Sequence, residues 1–172
     1  DRLVARLPDI APLASRLPWL FNLRDRIPGA AALGERWLGL SARRSLPRFR
    51  GDTFAAQAGS LALASRADVL AAAARGDNAA VLFVDTFNGY FESENTCDAA
   101  RVLQAAGYAV HVATQPNGRS PCCGRTLLAA GMAVQAKERA RALLDTVMPF
   151  VDAGIAIVGL EPSCLLTLRD EY

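Results

Sequence analysis

With 172 residues, 52% of them hydrophobic and 21% charged, the chain has the material for one globular domain with a real core and an appendage. A net charge of +2, no apolar run near the roughly 18 residues of a membrane span and no charged leader with a cleavage site argue against an integral membrane or exported protein. A cytoplasmic location is expected.

The charge is unevenly held. Residues 1–50 carry ten arginines against Asp1, Asp9, Asp25 and Glu35, whereas the remainder carries nine basic and thirteen acidic groups. Within this arm Leu3, Leu7, Ile10, Leu13, Leu17 and Leu20 recur at spacings of three and four, the pattern of amphipathic helices. Pro8, Pro12, Pro18 and Pro28 are expected to cut it into short pieces. Trp19, Phe21 and Trp37 add an apolar face that requires cover. Its own domain or a neighbour would provide it; otherwise the arm is a basic surface for anionic lipid, at the periphery of the inner membrane, or for a partner subunit. No aromatic-basic stacking pattern or base-reading motif accompanies the arginines, so nucleic acid is not an expected partner.

Residues 45–59, with Pro47, Gly51 and Gly59, read as a linker. Residues 60–75 form an alanine-rich amphipathic stretch stopped by Gly76. Residues 80–84 are a continuous apolar run, as in a buried parallel strand, ending at Asp85-Thr86-Phe87. A helix over 92–106 stops at Gly107, a second strand covers 108–113, and a helical stretch covers 125–151 with a break near Pro149. A third strand covers 155–159, and Pro162 suits the first turn of a last helix. The βαβαβα order predicts an α/β fold: a parallel, Rossmann-like three-layer sheet with flanking helices and right-handed crossovers, preceded by an N-terminal helical arm. The expected division is residues 1–50 as arm or spacer, 51–79 as linker and helix, and 80–172 as the α/β domain. The chain starts at Asp1 without methionine and stops at Tyr172 within a helical stretch, as a piece of a larger polypeptide would.

Three of the four cysteines fall in two loops that open helices: Pro121-Cys122-Cys123-Gly124-Arg125 and Gly159-Leu160-Glu161-Pro162-Ser163-Cys164. A helix N-terminus favours the thiolate, so these positions suit metal ligands or redox groups. In parallel sheets the segments after the strands meet at one edge, which predicts that Cys122, Cys123 and Cys164 converge, with Asp85, Thr86 and Glu161 as oxygen ligands or hydrogen-bond partners nearby. Gly124 would allow close backbone approach, and Arg119 and Arg125 would offset thiolate charge. A vicinal Cys122–Cys123 disulfide and a zinc site are alternatives, although the paired C-x-x-C spacing of structural zinc is absent. Cys97, inside a helix, reads as packing, and His111, between Val110 and Val112, as a core histidine. No Ser-His-Asp order and no glycine-rich phosphate loop is present.

These segments, with Phe83-Val84-Asp85-Thr86-Phe87-Asn88-Gly89-Tyr90-Phe91 and the run from Leu165 to Glu171, make residues 81–172 resemble the cysteine-rich CCG domain. That domain occurs in iron–sulfur subunits of heterodisulfide reductase, anaerobic glycerol-3-phosphate dehydrogenase and glycolate oxidase, and in fused FAD-binding, 4Fe-4S D-lactate dehydrogenase-like oxidoreductases. The family pattern has a cysteine after the first strand, then Cys-Cys-Gly, then C-x-x-C. Cys122, Cys123 and Cys164 match it, but Thr86 and Glu161 stand where the other two cysteines fall, leaving three of five sulfur positions. The resemblance implies an iron–sulfur cluster, or zinc or nothing in its place. It further implies an electron-transfer role beside flavin-binding and ferredoxin-like modules, FAD outside this chain, and a quinone or other acceptor. The chain by itself, without a flavin motif or substrate base, would not be catalytic.

Overall fold

The computed structural model describes residues 2–116 and 118–172; Asp1, counted among the acidic groups of the arm, and Asn117 lie outside the described residues. The arm forms α1 (Arg2–Ala5), α2 (Leu7–Ala14), α3 (Pro18–Phe21), a 3-10 turn at Leu23–Asp25 and α4 (Ala30–Leu38). Its prolines interrupt less than their number implies. Pro8 sits in the first turn of α2, where a missing N–H costs little, Pro12 is carried inside α2, and Pro18 opens α3.

The fully buried positions of the arm are alanines, and of its leucine stripe only Leu7 and Ile10 are half-buried. Ala5, Ala11 and Ala14 are buried, while Leu3, Leu13, Leu17 and Leu20 are exposed. The small side chains let α1 and α2 lie close to the domain, where Ala5 packs with Leu127 and Ala136. The Thr126 hydroxyl donates to Ala5 O at 3.2 Å, and Arg139 pairs with Asp9 at 2.5 Å. The chain's own domain does not cover Trp19 and Trp37, which remain 59% and 77% exposed.

The expected linker is more structured than its composition implies. Asn22 exchanges two hydrogen bonds with the Phe49 backbone, at 2.8 and 3.0 Å, and Thr53 caps α5 (Phe54–Gln57), which buries Phe54. After a 3-10 turn at Ala58–Ser60 the chain runs past β2, with Ala64 N donating to Val110 O at 2.7 Å. The helix expected from residue 60 therefore starts only at α6 (Arg66–Ala74). Ser65 and Asp68 form a capping box that fixes this start.

β1 (Ala79–Phe83) leads into α7 (Thr86–Tyr90) and α8 (Ser93–Ala105), then β2 (Ala109–Val112), α9 (Arg125–Ala129), α10 (Ala133–Val151), β3 (Ala156–Gly159) and α11 (Pro162–Asp170). Among the described residues the sheet has three parallel strands in the order β2-β1-β3, with Val81 opposite His111 on one side and Ile157 on the other. Alternation along β1 divides the core. Val81 and Phe83 pack with Val69, Leu143, Val147 and Phe150 from α6 and α10, whereas Leu82 and Val84 pack with Phe54, Cys97 and Ala100 from α5 and α8. This is the expected α/β arrangement. The break expected near Pro149 lies instead at Gly131, which takes φ +75 between α9 and α10; Pro149 is accommodated near the end of α10.

Candidate functional site

Because the three strands are parallel, their carboxyl ends lie along one edge, and the loops after them supply the site. After β1, the buried Asp85 caps α7. One carboxylate oxygen accepts from Phe87 N at 2.8 Å and Asn88 N at 3.2 Å, the other from the Asn88 side chain at 2.6 Å. Thr86 follows in the first turn of α7. After β3, Glu161 caps α11 in the same way, its Oε1 accepting from Ser163 N at 3.1 Å and the Ser163 hydroxyl at 2.5 Å.

After β2 the chain reaches Pro121, Cys122 and Cys123, and turns through Gly124 into α9. Gly124 takes φ +86, and a Cβ there would lie 2.6 Å from Ala136 O and 2.7 Å from the Tyr172 hydroxyl. Only glycine satisfies both the left-handed backbone and that space. The turn sets the buried Cys123 against Cys164 in the first turn of α11, with the sulfurs 3.1 Å apart. Gly124 N donates to Cys122 Sγ at 3.4 Å. Cys122, Cys123 and Cys164 thus all border one space, with the last two in direct contact. Beside them lies a cavity of about 170 Å³, bounded by Thr86, Phe87, Arg125 and, from the arm, Leu7 and Pro8.

The electrostatics differ from the expectation for helix N-termini. The hydrogen bond from Cys122 favours the Cys123 thiolate, but the bond to Cys164 and burial outweigh it and push the Cys123 thiol up to about 11. The bond to Cys123, then burial, pushes Cys122 above the usual thiol range. Helix α9 has five residues, too short a dipole to reverse these effects. Burial first, then the neighbouring Cys123 and Cys122, raises the Tyr172 phenol to about 12.

Cys122, Cys123, Gly124, Cys164 and Thr86 therefore come together. Asp85 and Glu161 reach the same edge, but their carboxylates are engaged in helix caps. Among the described residues, no group of three or more histidine, cysteine, aspartate or glutamate side chains is arranged to hold a metal ion. With three thiols and no further histidine, cysteine, aspartate or glutamate grouped with them among those residues, the donor set does not fit the cluster that the resemblance implies. Cys97 is buried packing, its thiol 3.7 Å from Gln57 Oε1. His111 is the expected core histidine, its Nδ1 2.9 Å from Ala64 O and its ring 5.2 Å from that of Phe150. Sequence reasoning missed Leu7, Pro8 and Tyr172. Leu7 belongs to the leucine period of the arm, but nothing in that period says which of its members meets the domain, and no local pattern marks Tyr172 as the partner of a glycine 48 positions earlier.

An α/β domain with a sulfur site at its carboxyl edge is the class that fold and geometry define. The whole chain aligns at 26% identity with D-2-hydroxyglutarate dehydrogenase of Pantoea ananatis (strain AJ13355), covering 16% of that protein. It aligns at 25%, with the same coverage, with D-2-hydroxyglutarate dehydrogenase of Escherichia coli (strain K12). Over 78% of its length it is 27% identical to one of the subunits of the anaerobic glycerol-3-phosphate dehydrogenase of Escherichia coli (strain K12), and the match spans 31% of that relative. No family model and no solved structure matches the chain. It is thus a distant relative of oxidoreductases, and spans about a sixth of the length of the first two.

Proposed function

We propose that this chain is the cysteine-rich electron-transfer module, of CCG type, of a FAD-linked D-2-hydroxy-acid oxidoreductase. The observation that carries this reading is the convergence of Cys122, Cys123 and Cys164 from two separate loops, in a chain that aligns along its whole length with a dehydrogenase of a D-2-hydroxy acid. In this reading a flavin on another module takes two electrons from the substrate, and the sulfur site of residues 80–172 stands between it and a quinone or other acceptor. Residues 1–50 join the module to flavin-binding and ferredoxin-like partners. The protein works in the cytoplasm, with the basic arm available to the inner membrane periphery. An iron–sulfur centre would draw on Cys122, Cys123 and Cys164. Because these do not complete its ligand set, no electron step is assigned to one.

The test uses the full-length polypeptide, purified anaerobically, with D-2-hydroxyglutarate as electron donor. Cys123→Ser and Cys164→Ser are expected to leave flavin reduction by the substrate intact and to lower reduction of an external acceptor at least tenfold, while Cys97→Ser changes neither. Iron, acid-labile sulfide and zinc are measured on the same samples. A second reading, a structural or acceptor-docking domain with a zinc or empty cysteine site, is favoured by the commitment of Asp85 and Glu161 to caps. Unchanged acceptor reduction in both serine variants would establish it instead.

A further inference from the structure

The mismatch between sulfur geometry and ligand number has a positive reading. We propose that Cys123 and Cys164 are a reversible two-electron dithiol/disulfide couple, poised by the small-molecule thiol–disulfide pool, and not ligands of a resident metal. The assignment deepens the electron-transfer reading of the same site and rests on it.

The geometry is already that of a pair. The sulfurs are 3.1 Å apart, about 1 Å more than a disulfide bond, so closure needs a small side-chain rotation and no rearrangement of the strands. Both residues are free thiols. They lie in different elements, each fixed next to its cysteine: Gly124 is wedged under Ala136 O and the Tyr172 hydroxyl, and α11 is started by Pro162 and the Glu161 cap. Their accessibility is unequal, as an exchange pair requires. Both line the 170 Å³ cavity, but Cys164 is partly exposed whereas Cys123 is 3% exposed. Cys122 is occupied by the Gly124 N–H.

Exchange with a small disulfide RSSR balances without a metal. The Cys164 thiolate attacks one sulfur of RSSR, forming a Cys164–S–S–R mixed disulfide and releasing the first RS⁻. The Cys123 thiolate then attacks the Cys164 sulfur, closing Cys123–S–S–Cys164 and releasing the second RS⁻. The two protons lost by the cysteines end on the released thiolates, so dithiol plus RSSR gives disulfide plus two RSH. The reverse sequence recharges the dithiol.

The experiment equilibrates the full chain in anaerobic buffers of reduced and oxidised glutathione, quenches with acid, alkylates free thiols in denaturant and maps disulfides by mass spectrometry. The reduced chain is expected to alkylate at all four cysteines, and the oxidised chain only at Cys97 and Cys122, with a single Cys123–Cys164 cross-link that dithiothreitol fully reverses. Cys122→Ser should keep the cross-link, Cys123→Ser should stop at a glutathione adduct on Cys164, and Cys164→Ser should form no cross-link and no adduct on Cys123. A Cys122–Cys123 cross-link, a mixed disulfide that never resolves, or iron and sulfide that bind stoichiometrically and block both alkylations would each overturn the proposal. Such a result with acceptor reduction still lost in the serine variants would leave the electron-transfer module standing. The cross-link with acceptor reduction unchanged would remove the module reading and keep the couple.

Discussion

At the scale of single residues, Gly124 is the joint on which the sulfur site turns. Several glycines have positive φ, among them Gly76 at +80 with open space around its missing Cβ and Gly124 at +86 with backbone and phenol against it. Placing an L-residue in the left-handed region costs about 1–2 kcal/mol, and Gly76→Ala should show that alone. Gly124→Ala adds a collision with Ala136 O, which cannot move without disturbing α10, so its loss should reach about 3 kcal/mol or more. Urea denaturation of the two variants measures the difference. Equal midpoints would mean that α10 and Tyr172 yield readily, and that the Cys123–Cys164 spacing is not held by this wedge.

At the scale of elements, the arm provides the sharpest test of what patterning can reveal. Ala11 is fully buried while Leu13 is 56% exposed. Leu13→Ala is therefore expected to change stability by no more than about 0.5 kcal/mol, and Ala11→Leu to cost about 1–3 kcal/mol by overpacking. Thermal unfolding of the pair checks both, and the opposite ranking would mean that the leucine stripe is the packed face. β1 was legible because a run buried on both faces carries no period to misread, and α8 because Gly107 ends it. The cap of α6 was also in the sequence, as Ser65 and Asp68, but the alanines before it have helical propensity and masked the extended segment at residues 61–64 along β2. Propensity is a weak prior against a pairing with the sheet. The inward face of the arm was illegible for a related reason. Alanine counts little in a hydrophobic pattern, yet it is what allows close helix contact.

At the scale of the whole molecule, the convergence of Cys122, Cys123 and Cys164 was legible because it follows from strand direction alone, independent of side-chain detail. What local sequence could not tell was that Asp85 and Glu161 would serve their own helix starts. A carboxylate two or three residues before helical N–H groups satisfies them at little entropic cost, and a metal would have to compete with that.

The sheet order couples the thiol pair to the closure of the fold. The segments that bear Cys123 and Cys164 follow β2 and β3, the two edges, so the sulfurs meet only when both edges are zipped to β1 in register. They are 41 positions apart in the chain, and a cross-link closing such a loop removes enough freedom from the unfolded chain to stabilise the fold by about 4 kcal/mol. The oxidised chain should therefore outlast the reduced one in urea by a margin of that order, a difference erased by dithiothreitol. Thermodynamic linkage then runs the other way as well. Whatever loosens an edge strand makes the disulfide easier to reduce, so the midpoint potential of the pair becomes a gauge of how firmly the sheet is closed.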